Sequence, residues 1–205
     1  FGWAMVAAQG FLAVSFSAPN RDDRASASIR YFTLSIIPEV LFVAGMLGCY
    51  AAFGTLSFAE INGKAGLEEA TWAIYCLVAG TMLRNLQMPL MQCANYLASA
   101  RAAATPVYFL GHILLSSALF AKLYPAITAA EGMQYLAVLP AITAIAAALL
   151  ALPEEDPFAL IGWLASYICA SVFLAGLTGD FHSAQALALA GAAGSFLMAN
   201  ALSEL

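Results

Sequence analysis

The chain has 205 residues, of which 63 % are apolar and 9 % are charged; the formal net charge is −5, and the mean hydropathy is +0.86. A soluble globular domain carries roughly 25 % charged residues, so the composition excludes that class and points to an integral membrane protein. At about 20 apolar residues per spanning helix the length allows about seven spans and little else. The net charge sits in the loops and carries no signal for nucleic acid or any other soluble partner.

The expected fold is all-α: a polytopic bundle of transmembrane helices with one discontinuous member. The alternating pattern of barrel strands does not occur. The first apolar run, Phe1 to about Phe16, ends in the charged turn Ser17–Arg24. The first residue is Phe and no signal-peptide pattern leads it, so a fragment, or a chain without its true start, is expected. The second run extends from about Arg30 to Gly54 and contains Pro38 and Glu39. A polar loop, about Glu60 to Glu69, separates it from the third run, Ala70 to about Pro89, which contains Arg84. A semi-polar stretch with Asn95 and Arg101 leads to Thr105-Pro106, and the fourth run, about Val107 to Ile127, carries His112 and Lys122. The fifth run, about Tyr135 to Leu152, is joined by the tight turn Pro153–Pro157 to the sixth, about Phe158 to Leu177. Pro157 suits the first turn of a helix. Thr178-Gly179-Asp180 ends the sixth run, and a seventh, about Ser183 to Leu202, is rich in the small residues that allow close helix packing. The whole chain is expected to be one transmembrane domain, with residues 1–129 as a first helix group and 130–205 as part of a second.

Lys and Arg counts in the short loops set the orientation. Arg21, Arg24, Arg30 and Arg101 fall on one side, Lys64 and Lys122 on the other. The first side is expected to be cytoplasmic, with the N-terminus outside. Cys49, Cys76, Cys93 and Cys169 lie scattered in apolar runs without metal-ligand spacing and read as packing residues.

Two ionisable groups sit well inside apolar runs. A charge at bilayer depth costs about 2.5–3.5 kcal/mol on insertion scales, so Glu39 and Arg84 are far cheaper as a pair than alone. Glu39 lies about nine residues into its run, roughly 13 Å deep at 1.5 Å per residue, and Arg84 about fourteen residues into the next. Antiparallel neighbours bring such positions to overlapping depths. Pro89 follows Arg84-Asn-Leu-Gln87-Met, and a broken helix in lipid is tolerated only where protein or a water-filled cavity satisfies the freed backbone groups. Pro38, Pro89 and Pro106 are the candidate helix breaks. Glu39, Arg84 and His112 are the candidate proton or ion pathway, His112 because an imidazole facing a cavity can relay protons. A structural salt bridge, an Arg reaching to the interface and a His bonded to a nearby carbonyl are the plain alternatives. Lys122, beside Tyr124, reads as an interfacial anchor, and Asp180 with His182 as a solvated turn. No nucleotide loop, metal cluster or nucleophile–base arrangement occurs, and a Lys at mid-depth for a Schiff base is missing. No cofactor, nucleic acid or soluble small-molecule substrate is expected.

Several segments, in order, resemble one family. Leu47-Gly-Cys-Tyr-Ala-Ala-Phe-Gly-Thr-Leu-Ser-Phe-Ala-Glu60-Ile61 is similar to the stretch ending "YGATGTLDFAEI" in the antiporter-like proton-translocating subunits of respiratory complex I and their Mrp-antiporter and inorganic-carbon-transporter relatives. Phe1-Gly-Trp3 resembles the family's "GWE" helix, Leu83–Pro89 its broken helix, Thr105-Pro-Val107 with His112 its "TPVSALLHA" segment, and Ala151–Asp156 with the sixth run its "DIKR" region. The resemblance implies the family's fifth to eleventh helices, a bacterial cytoplasmic membrane, and neighbouring membrane subunits alongside the lipid bilayer as partners. It also exposes losses. The family's helix glutamate falls on Ala4, the lysine after the aspartate on Phe158, the mid-helix lysine near Ser116 and Ser117, and the later His and Lys near Gly191 and Ser195. Arg84 replaces a lysine and Glu39 an aspartate. A lysine can release its proton when buried, whereas a guanidinium effectively cannot. The reduced set points to an accessory or scaffold subunit with at most residual conduction; an active proton- or cation-translocating subunit is the alternative, and a membrane enzyme acting on lipids has no suitable cluster of groups.

Overall fold

The computed structural model describes residues 21–64, 71–94, 104–129 and 133–203. Their regular structure is entirely helical. In chain order the helices are α1 (Arg21–Phe53), α2 (Phe58–Lys64), α3 (Thr71–Arg84), α4 (Ala104–Ala129), α5 (Met133–Leu136), α6 (Val138–Ala151), α7 (Pro157–Leu177) and α8 (Phe181–Ser203). The first apolar run, Phe1–Phe16, lies outside the described residues.

The runs read from composition recur as helices, with differences at their edges. From Arg21, the first described residue, α1 already runs through the part of the expected charged turn up to Arg24; hydrophilic residues outside an apolar slab can extend a helix into solvent. The polar loop after it contains the short α2. The fifth run is divided at Ala137 into α5 and α6. Ile29–Phe53 within α1 and Pro157–Leu177 are, among the described residues, the two helices long and apolar enough to cross a membrane. With 14 residues, α6 reaches about 21 Å, short of the roughly 30 Å hydrocarbon core.

The expected break at Pro38 is corrected: α1 runs through it as one helix. Pro106 lies in the first turn of α4, where a missing N–H is not needed by the helix. Of the three prolines, Pro89 alone stands at an interruption.

α1 and α3 pack antiparallel at very short range. A Cβ on Gly45 would lie 2.6 Å from the Leu77 nitrogen, and one on Gly80 would lie 2.8 Å from the Phe42 nitrogen and 2.9 Å from the Pro38 carbonyl oxygen. Only hydrogen in place of a side chain allows the two backbones this close. Gly48 faces Ala73, Gly45 faces Leu77 and Gly80 faces Phe42, which fixes one antiparallel register along the pair.

Two buried clusters hold the rest. One joins Cys49, Ile61, Leu77, Met82, Leu123 and Phe173 from α1, α2, α3, α4 and α7, with Phe120 and Phe173 edge to face at a centroid distance of 5.0 Å. The other joins Tyr31, Leu86, Leu90, Cys169, Val172 and Ala188, so the segment after α3 packs on α7 and α8. Large apolar side chains such as Ile36, Val40, Val43, Leu47, Ile145 and Leu149 point outward, which suits a surface covered by lipid or protein.

α7 starts with Asp156 accepting a hydrogen bond from the Phe158 N–H at 3.0 Å and with Pro157 in its first turn. α8 is preceded by Asp180, whose side chain accepts from the Ser183 N–H at 3.0 Å. The turn expected to be merely solvated is therefore a helix cap.

Candidate functional site

The register set by the glycines carries one turn further and places Glu39 of α1 opposite Arg84 of α3. Arg84 Nη1 lies 3.4 Å from Glu39 Oε1, with the side chains 3 % and 34 % exposed. The contact is electrostatic: Glu39 Oε1 takes no hydrogen bond among the described residues. Tyr31, a residue two turns before Glu39 and itself buried, lines the same small cavity as the Arg84 guanidinium. Arg84 is the last residue of α3. Its positive charge thus sits at the end where the unpaired carbonyls make the helix negative, a placement worth up to about 2 kcal/mol in partly buried sites. Two things stabilise the buried cation: the Glu39 carboxylate and the α3 terminus.

The interruption after Arg84 is a compact turn. Leu86 adopts φ 61° and the Met88–Pro89 peptide is cis. Because Leu86 is buried, its left-handed backbone is held by packing against α7 and α8. Three of the backbone N–H groups after the helix have partners in the turn or across it. The Asn85 N–H is shared between the Thr81 and Met82 carbonyls, the Leu90 N–H donates to the Gln87 carbonyl at 2.8 Å, and the Met88 N–H donates to Thr143 Oγ1 at 2.9 Å. Thr143, in the middle of α6, in turn donates to the Leu139 carbonyl at 2.8 Å. Gln87 Nε2 donates to the Asn85 carbonyl at 3.1 Å. Asn85 and Gln87 are fully buried.

A cavity of about 10 Å³ adjoins the guanidinium, lined by Tyr31, Ser35, Pro38, Arg84, Leu90 and Cys93 among others. That is space on the scale of one water molecule.

Glu39 and Arg84 are thus brought together, and Pro89 marks the break beside them. His112 lies on α4, but its side chain is outside the described residues. Lys122 is exposed, and its carbonyl accepts from Asn62 Nδ2 at 3.0 Å. Glu154 and Asp156 hold the turn between α6 and α7 and lie apart from the pair in sequence and in their bonds. Tyr31 and Thr143 were not legible as site residues. Tyr31 had a signal in its spacing of eight from Glu39, which puts both on one helix face; Thr143, a lone hydroxyl in an alanine-rich helix, had none that separates it from packing.

No curated protein matches this chain. The sequence model of the family described as NADH:quinone oxidoreductase/Mrp antiporter, transmembrane, matches residues 1–163, which takes in both members of the ion pair and the broken helix. An apolar helical chain with a buried Arg84 paired to Glu39 at a helix break and this match over most of its length belongs to the NADH:quinone oxidoreductase/Mrp antiporter membrane-subunit family.

Proposed function

We propose that the chain is an accessory, scaffolding membrane subunit of a larger complex, in which the Glu39–Arg84 pair fixes the packing of α1 and α3 and carries little or no proton current. The observation behind this reading is the site itself: a guanidinium 3 % exposed, 3.4 Å from its carboxylate, beside a cavity of only about 10 Å³. A guanidinium holds its proton, so the group that a lysine could supply to a relay is absent at this position. The losses at Ala4 and Phe158 remove further ionisable groups that the family uses. On this reading the subunit lies in a bacterial cytoplasmic membrane among other membrane subunits.

The Glu39→Gln variant tests it in the assembled complex. The yield of assembled complex falls, and proton flux per assembled complex is unchanged. An assembled complex at normal yield with flux abolished would instead establish the active alternative, a translocating subunit with a path through Glu39, Arg84 and His112.

A further inference from the structure

The turn between α6 and α7 carries Glu154, Glu155 and Asp156, and the sequence contains no Lys or Arg after Lys122. Two of these carboxylates are held in place. Glu154 accepts from Trp163 Nε1 at 3.1 Å and from the Asp156 N–H at 3.3 Å, and Asp156 caps α7. Glu155 is exposed. The turn therefore presents oriented negative charge at one end of the bundle.

Next to that turn, α6, α7 and α8 border an open slot of about 320 Å³. Ala147, Ala148 and Ala151 of α6 leave the space, Trp163 and Tyr167 of α7 form its opposite wall, and Met198 of α8 closes one side. The lining is apolar. From Leu160 to Tyr167 the slot follows α7 for about 10 Å. It opens laterally, where Tyr167 is 45 % and Met198 41 % exposed. A helix with side chains is about 10–12 Å across and does not fit such a slot, whereas a flexible hydrocarbon chain does. Trp163 links the two parts: its ring lines the slot and its N–H bonds to the acidic turn, the amphipathic placement that Trp takes at a headgroup boundary.

We infer that the slot binds one acyl chain of a phospholipid whose headgroup bears a primary ammonium, with the ammonium over Glu154 and Glu155. The carboxylates accept its N–H groups and repel an anionic headgroup. A quaternary ammonium carries the charge without the donors and binds between the two.

The test uses the full chain with Trp3 and Trp72 replaced by Phe, so that Trp163 is the one fluorophore, in bilayers titrated with phospholipids brominated in the acyl chain. Headgroups are ethanolamine, choline or glycerol. Trp163 quenching is expected at about fivefold lower mole fraction for the ethanolamine lipid than for the glycerol lipid, the ratio for roughly one interfacial charge contact. Replacing Glu154 and Glu155 together by Gln equalises the headgroups without filling the slot. Ala148→Leu, which fills it, weakens quenching by every lipid. Equal quenching by all headgroups in the parent chain, or a preference that survives the Gln pair, overturns the proposal. Trp163 shielded from all three lipids also overturns it and shows that protein covers the slot. None of these outcomes depends on the role assigned to Glu39 and Arg84.

Discussion

Gly80 of α3 sits so close to Phe42 of α1 that a Cβ would meet the Phe42 nitrogen at 2.8 Å. This contact is what brings Glu39 within reach of Arg84. The glycine is one turn from the arginine, and its partner is nearly one turn from the glutamate. Any side chain at Gly80 pushes against backbone, which cannot yield as the end of a flexible side chain can.

Gly80→Ala is therefore expected to destabilise the bundle by about 1–3 kcal/mol, the usual cost of overpacking, and Gly80→Leu to prevent α1 and α3 from docking. Gly194 has open space where a Cβ would lie, so Gly194→Ala is the control and should be neutral or slightly stabilising through helix propensity. Thermal unfolding in detergent, followed by circular dichroism, separates the three.

Thr143 supports the break in the helix. Its Oγ1 accepts from the Met88 N–H at 2.9 Å, and Thr143 is fully buried. Thr143→Val keeps the shape and leaves that N–H without its acceptor, so a loss of about 1–3 kcal/mol is expected. Thr143→Ser keeps the hydroxyl and should recover most of it. Hydrogen exchange at the Met88 amide provides the local readout, accelerated in the Val variant and near the parent rate in the Ser variant.

The discontinuous helix and the charged pair were legible because both break a rule. Charge and proline are expensive in an apolar helix, and the one economical arrangement for Glu39 and Arg84 is to face each other. What held the arrangement was not legible. Glycines at 45 and 80 look like any small residues in an apolar run, and only the docked backbones show that hydrogen is required there. Pro38 misled for a related reason: a proline costs a helix one donor and a kink, yet α1 absorbs it and continues. The helical state of Arg21 to Arg24 and the cap at Asp180 depend on which polar groups lie outside the apolar slab, a level that composition does not mark. The resemblance supplied the order of the segments, and the match over residues 1–163 bears out the family.

Asp180 offers a pH dependence outside the apolar segments. Hydrogen bonds from the Ser183 side chain and backbone, with the nearby His182 adding to them, hold its carboxyl below the ordinary value of 3.8. The folded value is the depressed one, so the contribution is fully present above the unfolded value and is lost as pH falls through the folded one. The start of α8 should therefore loosen only in acid below 3.8. In Asp180→Asn, which still accepts from the Ser183 N–H, this part of the acid dependence should vanish. Amide exchange at Ser183 and Ala184 as a function of pH is the measurement.

Glu39 and Arg84 are expected to act as one structural unit, and a double-mutant cycle with Glu39→Gln, Arg84→Gln and the double variant tests this most directly. Each single change should cost about 2 kcal/mol, below the roughly 3–5 kcal/mol of a fully buried pair because Glu39 is one-third exposed. The double variant should cost clearly less than the sum, with a coupling of about 1 kcal/mol or more. Strict additivity, each side chain contributing as though the other were absent, would contradict the pair as the element that holds α1 against α3.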